Sequence, residues 1–267
     1  MPEQARVGYL RSSLLDGHGF SGIFSLRDGG ISLPPFNSLN LGHGLGDADA
    51  NVDVNLQRLL KAATMGRPHQ AVQVHGHEAL ICSGPGQAHD AEADILISPS
   101  GDAVAARVAD CLPILIADSQ SRMTAAVHAG WRGTVAQVAA MAVARMTEFG
   151  ANPNDLLAAL GPCIGSCCFA IDEKTAHRLT SCVAGAELHV SDVAPYYANL
   201  QAINLLQLRQ AGLSSERIET FDICTSCDAS HCFSYRRDDG KTGRHLAIIA
   251  LRPPGGTAED GTFLEFP

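Results

Sequence analysis

The chain has 267 residues, of which 46% are apolar and 18% charged, with a formal net charge of -9. That composition excludes a disordered chain, and its acidity argues against non-specific nucleic-acid binding, which draws on clustered Lys and Arg. No run reaches the ~18 apolar residues of a membrane span. The first fifteen residues carry Glu3, Arg6 and Arg11 and no apolar stretch of the secretory kind. The expectation is a cytoplasmic globular protein with no nucleic-acid or membrane partner, in which the nine cysteines are thiols or metal ligands and not a disulfide framework.

In chain order, the first ~35 residues read as glycine-rich loop, and the loop continues through Asn37 to Gly46. Val52, Leu56, Leu59 and Leu60 recur at helical spacing and predict a helix over Asp49 to Ala63. Short strands follow at Ala71–Val74, Ala79–Cys82, Ala93–Ser98, Ala103–Val108, Pro113–Ala117 and Met123–His128. One long Ala-rich helix is expected from Thr134 to Phe149, stopped by Gly150. Strands at Leu156–Leu160, Arg217–Ile223 and Arg244–Leu251 alternate with helices at Asp172–Leu179 and Asn199–Ala211. The last ~15 residues read as a loose tail. Without strict βαβ alternation the pattern predicts an α+β fold, mixed sheets covered by helices, in one domain spanning 1–267.

Three short pieces carry chemistry: Gln73-Val74-His75, Val108-Ala109-Asp110-Cys111, and Val127-His128-Ala129-Gly130-Trp131-Arg132-Gly133. Each sits at the end of an apolar strand. Two histidines and a cysteine leave a fourth position open, as a catalytic zinc site needs; the same trio could be a thiolate nucleophile with histidine bases. His77 falls after Gly76, where a turn would direct it elsewhere. Asp110, a charge between apolar strands, needs a partner or a task, and could hold a ligand histidine in one tautomer. Arg132 and the glycines at the start of the following helix could meet an anion. Trp131, the one tryptophan, is either a core aromatic or a wall of the site.

With these residues in view, the chain resembles the YfiH family, also called laccase-domain or polyphenol-oxidase-like proteins. The matching stretches include Ser38-Leu39-Asn40-Leu41-Gly42, Gln73-Val74-His75-Gly76, Ala93-Asp94-Ile95-Leu96, Ala109-Asp110-Cys111-Leu112-Pro113, Val127 to Gly133, Leu160 to Gly165, Phe233-Ser234-Tyr235-Arg236-Arg237 and Thr242-Gly243-Arg244. The resemblance implies a mixed sandwich of the cysteine-hydrolase type, related to cysteine–histidine toxin deamidases. It implies zinc on His75, Cys111 and His128. It also implies phosphorolysis of adenosine, inosine, guanosine and methylthioadenosine, and deamination of adenosine. A bacterial branch is linked to removal of misincorporated L-serine from peptidoglycan precursors.

For phosphorolysis, Arg132, Arg237 and Arg244 are the candidate anion contacts, with Asn40 on the substrate. Asp110 is the candidate proton carrier for deamination. Arg236 and Arg237 could equally be a solvated charge pair. Copper chemistry is disfavoured, because a multicopper oxidase needs several His-x-His pairs and the chain has His75-Gly76-His77 alone. The competing classes are an amidase with Cys111 as nucleophile and a binding protein with structural zinc. Cys224-x2-Cys227 with His231-Cys232 has ligands for a second zinc, but on a loop short for wrapping one ion; loop thiols are the simpler reading, there and at Cys163, Cys167 and Cys168. A monomer or weak oligomer is expected.

Overall fold

The computed structural model describes residues 6–252; the C-terminal tail expected to be loose lies outside them. The elements run β1 (Tyr9–Arg11), α1 (Ser13–Gly17), β2 (Phe20–Ser25), α2 (Asp49–Ala63), β3 (Gln70–Val72), β4 (Ala79–Ile81), β5 (Ala88–Glu92), β6 (Ile95–Ser98), β7 (Val104–Val108), β8 (Leu112–Asp118), β9 (Thr124–Ala129), α3 (Trp131–Val135), α4 (Val138–Glu148), β10 (Leu156–Leu160), β11 (Ala170–Ile171), α5 (Glu173–Thr180), β12 (Tyr196–Tyr197), α6 (Leu200–Gln210), β13 (Ile218–Thr220) and β14 (His245–Leu251). Among the described residues no helix is long and apolar enough to cross a membrane.

Two sheets carry the fold: a four-stranded sheet in the order β1-β2-β14-β7 and a six-stranded mixed sheet in the order β13-β10-β8-β9-β6-β4. They pack face to face. Phe24, Ala106, Ala247 and Ile249 of the first meet Leu96, Leu115, Ala117, Ala126, Leu157 and Ala159 of the second. Alternate residues turn the other way. Ile114, Ile116, Ala125, Val127, Leu156 and Ala158 pack under α4 and α6, against Val138, Ala142, Val143, Met146 and Leu208. On the far side, Ile23, Ala105 and Ile248 pack against Leu56, Leu59 and Ala63 of α2. β8 is therefore buried at every residue, which is why its sequence is an unbroken apolar run and not an alternating one. The α+β sandwich under helices matches expectation.

Two local readings are corrected. The first is the loop expected over the first ~35 residues, where the structure has β1, α1 and β2, with β2 buried throughout. The misleading signal was small residues. A Cβ at Gly22 would stand 2.4 Å from Leu15 Cδ1, so this glycine lets α1 lie flat on β2 and does not mark a turn. The second is the single helix expected over Thr134–Phe149, which is broken. Gln137 adopts φ 58° between α3 and α4, and its side-chain amide donates to the Cys182 carbonyl at 2.8 Å. Gln207 of α6 donates to the Thr134 carbonyl at 2.8 Å. The second bond takes up a carbonyl that a continuous helix would have used itself, and the first anchors the residue at the break. Gly150, at φ 98°, does terminate the second half.

β14 opens with His245, which is buried. Its Nε2 accepts the Phe233 amide at 2.7 Å, a bond only the neutral ring can make. Burial pushes its pKa down to about 4. A lowered folded-state pKa means the unfolded chain binds the proton more readily. The contribution is thus complete above the ordinary histidine pKa and lost as pH falls through the interval down to about 4. The expected contribution is about 3 kcal/mol. Urea midpoints between pH 8 and 4 should fall less steeply for His245→Asn than for the unsubstituted protein, with the variant less stable at pH 8; parallel curves would refute the assignment.

Candidate metal and anion site

Two loops and one strand at one end of the sandwich deliver the predicted trio. His75 follows β3 at φ 63°. Cys111 ends the tight β7–β8 connection, and His128 lies within β9. Their ligand atoms all lie within 4.8 Å of one another, and the two imidazoles meet edge to face with centroids 4.8 Å apart. A Cβ on Gly130 would stand 2.8 Å from His75 Cδ2 and 3.1 Å from Cys111 Sγ. This glycine is needed because the backbone passes directly against the trio.

Asp94, fully buried at the start of β6, organises the group. Its carboxylate accepts from His128 Nδ1 at 2.7 Å and from the backbone amides of Val74, His75 and Gly76 at 3.2, 3.0 and 2.6 Å. Burial raises its pKa, but these donors outweigh that and hold it below the usual carboxylate value. With Nδ1 committed as a donor, Nε2 of His128 is left with its lone pair for a metal or a proton. Burial also pushes the Cys111 thiol up, yet His128 and His75 reverse this and take it down to about 6. Burial lowers His128, and Cys111 and Asp94 together raise it to about 9. Two imidazoles and a thiolate-prone cysteine, one histidine oriented by a carboxylate, fit a divalent ion.

The tautomer-holding role expected of Asp110 belongs to Asp94. Asp110, at φ 86°, has its carboxylate oxygens on the Thr225 hydroxyl at 2.6 Å and the Arg236 amide at 2.7 Å, so it ties the cavity wall together. His77 stands beside Glu78, half-exposed.

A cavity of about 530 Å³ opens over the trio, lined by Arg107, Arg132, Arg236, Arg244, Trp131, Phe169 and Tyr235 among others. Arg132 stacks on Trp131 with its guanidinium carbon 4.4 Å from the ring centre. Arg244 is there as expected. Burial, and then the like charge of Arg107, pull its pKa below the ordinary value.

Asn40 and Arg237 are elsewhere. Asn40 is fully buried and accepts the Arg244 amide at 2.9 Å, so it positions Arg244 and does not face the cavity. Arg237 grips Asp238 through two nitrogens at 2.8 and 2.9 Å and the Thr225 and Cys232 carbonyls. Its neighbour Arg236 lines the cavity instead. Arg107 was missed, although a charge inside the apolar run Val104–Val108 was a signal of the kind that drew attention to Asp110. Its backbone is clasped by Gln73, whose amide nitrogen donates to the Arg107 carbonyl and whose oxygen accepts the Arg107 amide, at 2.8 and 2.9 Å.

The cysteine set proposed around His231 does not assemble. His231 pairs with Asp228 at 3.0 Å, Cys232 is buried, and Cys224 and Cys227 instead meet Cys167 and Cys168. A third histidine–cysteine group, His69, Cys82 and His89, has its donors spent internally: His69 bonds His89 and the Gly84 carbonyl at 2.9 and 3.1 Å.

Replacing Asp94 by asparagine should weaken metal affinity about 10- to 100-fold, read by competition with a chromophoric chelator. Unchanged affinity in a folded variant would remove Asp94 from the role assigned here.

A family model described as multi-copper polyphenol oxidoreductase laccase matches residues 21–252. The purine nucleoside phosphorylase YfiH of Escherichia coli is 36% identical over 236 residues, covering 87% of this chain and 94% of that protein. The purine nucleoside phosphorylase YlmD of Bacillus subtilis is 30% identical over 243 residues, covering 86% and 87%. The crystal structure of YlmD from Geobacillus stearothermophilus superposes with a TM-score of 0.84 at 30% identity, covering 92% of this chain and 97% of that one. The chain belongs to the YfiH/YlmD family, the laccase-like proteins of that description.

Proposed function

We propose that the protein is a purine nucleoside phosphorylase whose His75, Cys111 and His128 hold a zinc ion. The observation that carries the reading is Arg107. Its guanidinium, half-buried in the cavity, is given no hydrogen bond or ion pair by any described residue, and Arg244 lies near enough to feel its charge. Two neighbouring buried cations, of which Arg107 has no hydrogen-bond partner for its guanidinium while Arg244 donates to the Thr242 and Gly243 carbonyls, suit a dianionic ligand. The relatives' names as purine nucleoside phosphorylases point to phosphate and a nucleoside.

In that reaction a phosphate oxygen forms a bond to C1′ of the ribose. The bond from C1′ to purine N9 breaks with its electron pair on the base, and the proton of hydrogen phosphate ends on the purine. Arg107 and Arg244 bind phosphate through its non-attacking oxygens and hold it in line with the sugar. Phe169 and Tyr235 offer ring faces to the purine. Asp94 holds His128, and Asn40 holds the Arg244 backbone. Zinc, when bound, supplies Lewis acidity toward substrate oxygen; a thiolate beside two imidazoles serves zinc and also copper, which remains the lesser assignment.

Deamination of adenosine has weaker support. It requires a carboxylate free to carry protons, and the oxygens of both Asp94 and Asp110 are engaged. One observation favours a second reading, a cysteine amidase acting on peptidoglycan precursors: the Cys111 thiol lowered to about 6 is a nucleophile as well as a ligand.

Incubating zinc-loaded protein with adenosine and phosphate should release adenine and ribose 1-phosphate, with no adenine in the absence of phosphate. Arg107→Ala should raise KM for phosphate by about tenfold or more, the loss of one charge-assisted bond, with a smaller effect on KM for adenosine. Cys111→Ala should abolish turnover. No turnover of adenosine, inosine or guanosine, combined with an acyl-enzyme on Cys111 from a peptidoglycan precursor, would replace this reading with the amidase.

A further inference from the structure

A second cluster of soft ligands stands apart from the trio. Cys167 and Cys168 lie in the turn after β10, and Cys224 and Cys227 in the turn after β13. All four sulfurs are within 4.8 Å of one another. Cys227 Sγ is 3.5 Å from Cys167 Sγ and 3.4 Å from Cys168 Sγ. These separations are far beyond a disulfide's ~2.05 Å. They are close to the roughly 3.8 Å that separates sulfurs placed tetrahedrally at ~2.3 Å from a zinc ion.

The surrounding backbone is shaped to this arrangement. The Gly165 amide donates to Cys224 Sγ at 3.2 Å, an interaction that favours the thiolate. A Cβ on Gly165 would press to 3.2 Å from Cys167 Sγ and 3.4 Å from Cys224 Sγ. The two turns are already paired, the Cys163 amide donating to the Ile223 carbonyl and the Thr225 amide to the Cys163 carbonyl at 3.3 and 3.0 Å.

We propose that Cys167, Cys168, Cys224 and Cys227 form a second, structural site for a soft divalent cation, zinc foremost, that locks the turn after β10 to the turn after β13. Four thiolates fill a tetrahedral coordination sphere and leave no position for substrate, so the site is closed. Its effect reaches the cavity through named bonds. Arg236 donates to the carbonyls of Cys168 and Ala170 at 3.4 and 2.9 Å, Thr225 holds Asp110, and Ile164 and Phe169, flanking the first pair of cysteines, line the cavity. A closed ion here pins the part of the cavity wall that carries Ile164, Phe169 and Arg236.

Metal content of the full chain, expressed with zinc and freed of loose metal by gel filtration, tests this without reference to activity. Two equivalents of zinc are expected in the unsubstituted protein. One is expected in the double variant Cys167→Ser/Cys227→Ser, whose altered residues are exposed, and one in Cys111→Ser. Cobalt loaded into Cys111→Ser should give the intense visible and thiolate charge-transfer bands of a tetrahedral sulfur site, and these should vanish when Cys167→Ser/Cys227→Ser is added. The double variant should also melt at a lower Tm. One equivalent in the unsubstituted protein that the double variant retains, two retained in the double variant, or an intact mass two hydrogens light and restored by reductant, which marks a disulfide, would each overturn the proposal. Loss of the Cys111-dependent equivalent alone would count against the metal reading of the trio and leave this site standing.

Discussion

One buried carboxylate fixes the chemistry of this protein. Asp94 stands where β6 emerges from the core, fully enclosed, and its oxygens face three consecutive amides of the His75 loop and the ring of His128. A lone buried carboxylate would cost several kcal/mol; four donors remove most of that cost and convert it into geometry. The loop amides fold around the anion, so His75 is held at a positive φ it would not otherwise favour. The imidazole of His128 is fixed in rotation and tautomer by the same group. Two of the three candidate ligands thus share one anchor, and the third, Cys111, is carried by a turn between two strands that the core immobilises.

The sandwich makes this possible because its strands end together. β7 and β8 are consecutive in sequence but belong to different sheets, so the turn bearing Asp110 and Cys111 bridges the sheets at their open end. β9 pairs with both β8 and β6, which sets His128 beside Cys111 on one side and Asp94 on the other. The alanines between the sheets allow close approach, and the side chains above and below, each worth about 1.5–3 kcal/mol when fully buried, keep the frame rigid. A site assembled from strand ends inherits that rigidity.

What could be read from sequence follows from range. His75, Cys111 and His128 were legible because each closes an apolar run, a local pattern. Leu156–Leu160 and Asp49–Ala63 were legible for the same reason and agree with the structure at both ends. The partners that give the site its properties are not local. Asp94 is 34 residues from His128, whereas Asp110 draws attention as a charge between apolar strands, a local signal that cannot tell which histidine, if any, it meets. Which of the adjacent Arg236 and Arg237 enters the cavity is decided by the Asp238 carboxylate, which draws the Arg237 guanidinium back along the chain. The break at Gln137 depends on Cys182 and on Gln207 of α6, and the pairing of Cys224 and Cys227 with Cys167 and Cys168 spans about sixty residues. Periodicity cannot report any of these.

The charge distribution resolves an apparent conflict. An acidic chain, at -9 overall, repels anions at long range, yet the cavity gathers Arg107, Arg132, Arg236 and Arg244. At the ~8 Å screening length of physiological salt, the distant surface charge contributes little inside a recessed site. There the local arrangement decides: burial pulls the pKa values of Arg107 and Arg244 below the ordinary arginine value in a cavity that also holds Cys111. The anions of the trio are already neutralised by imidazole and amide, so they do not satisfy Arg107, whose guanidinium is left for a ligand. Burial strengthens what it leaves unpaired.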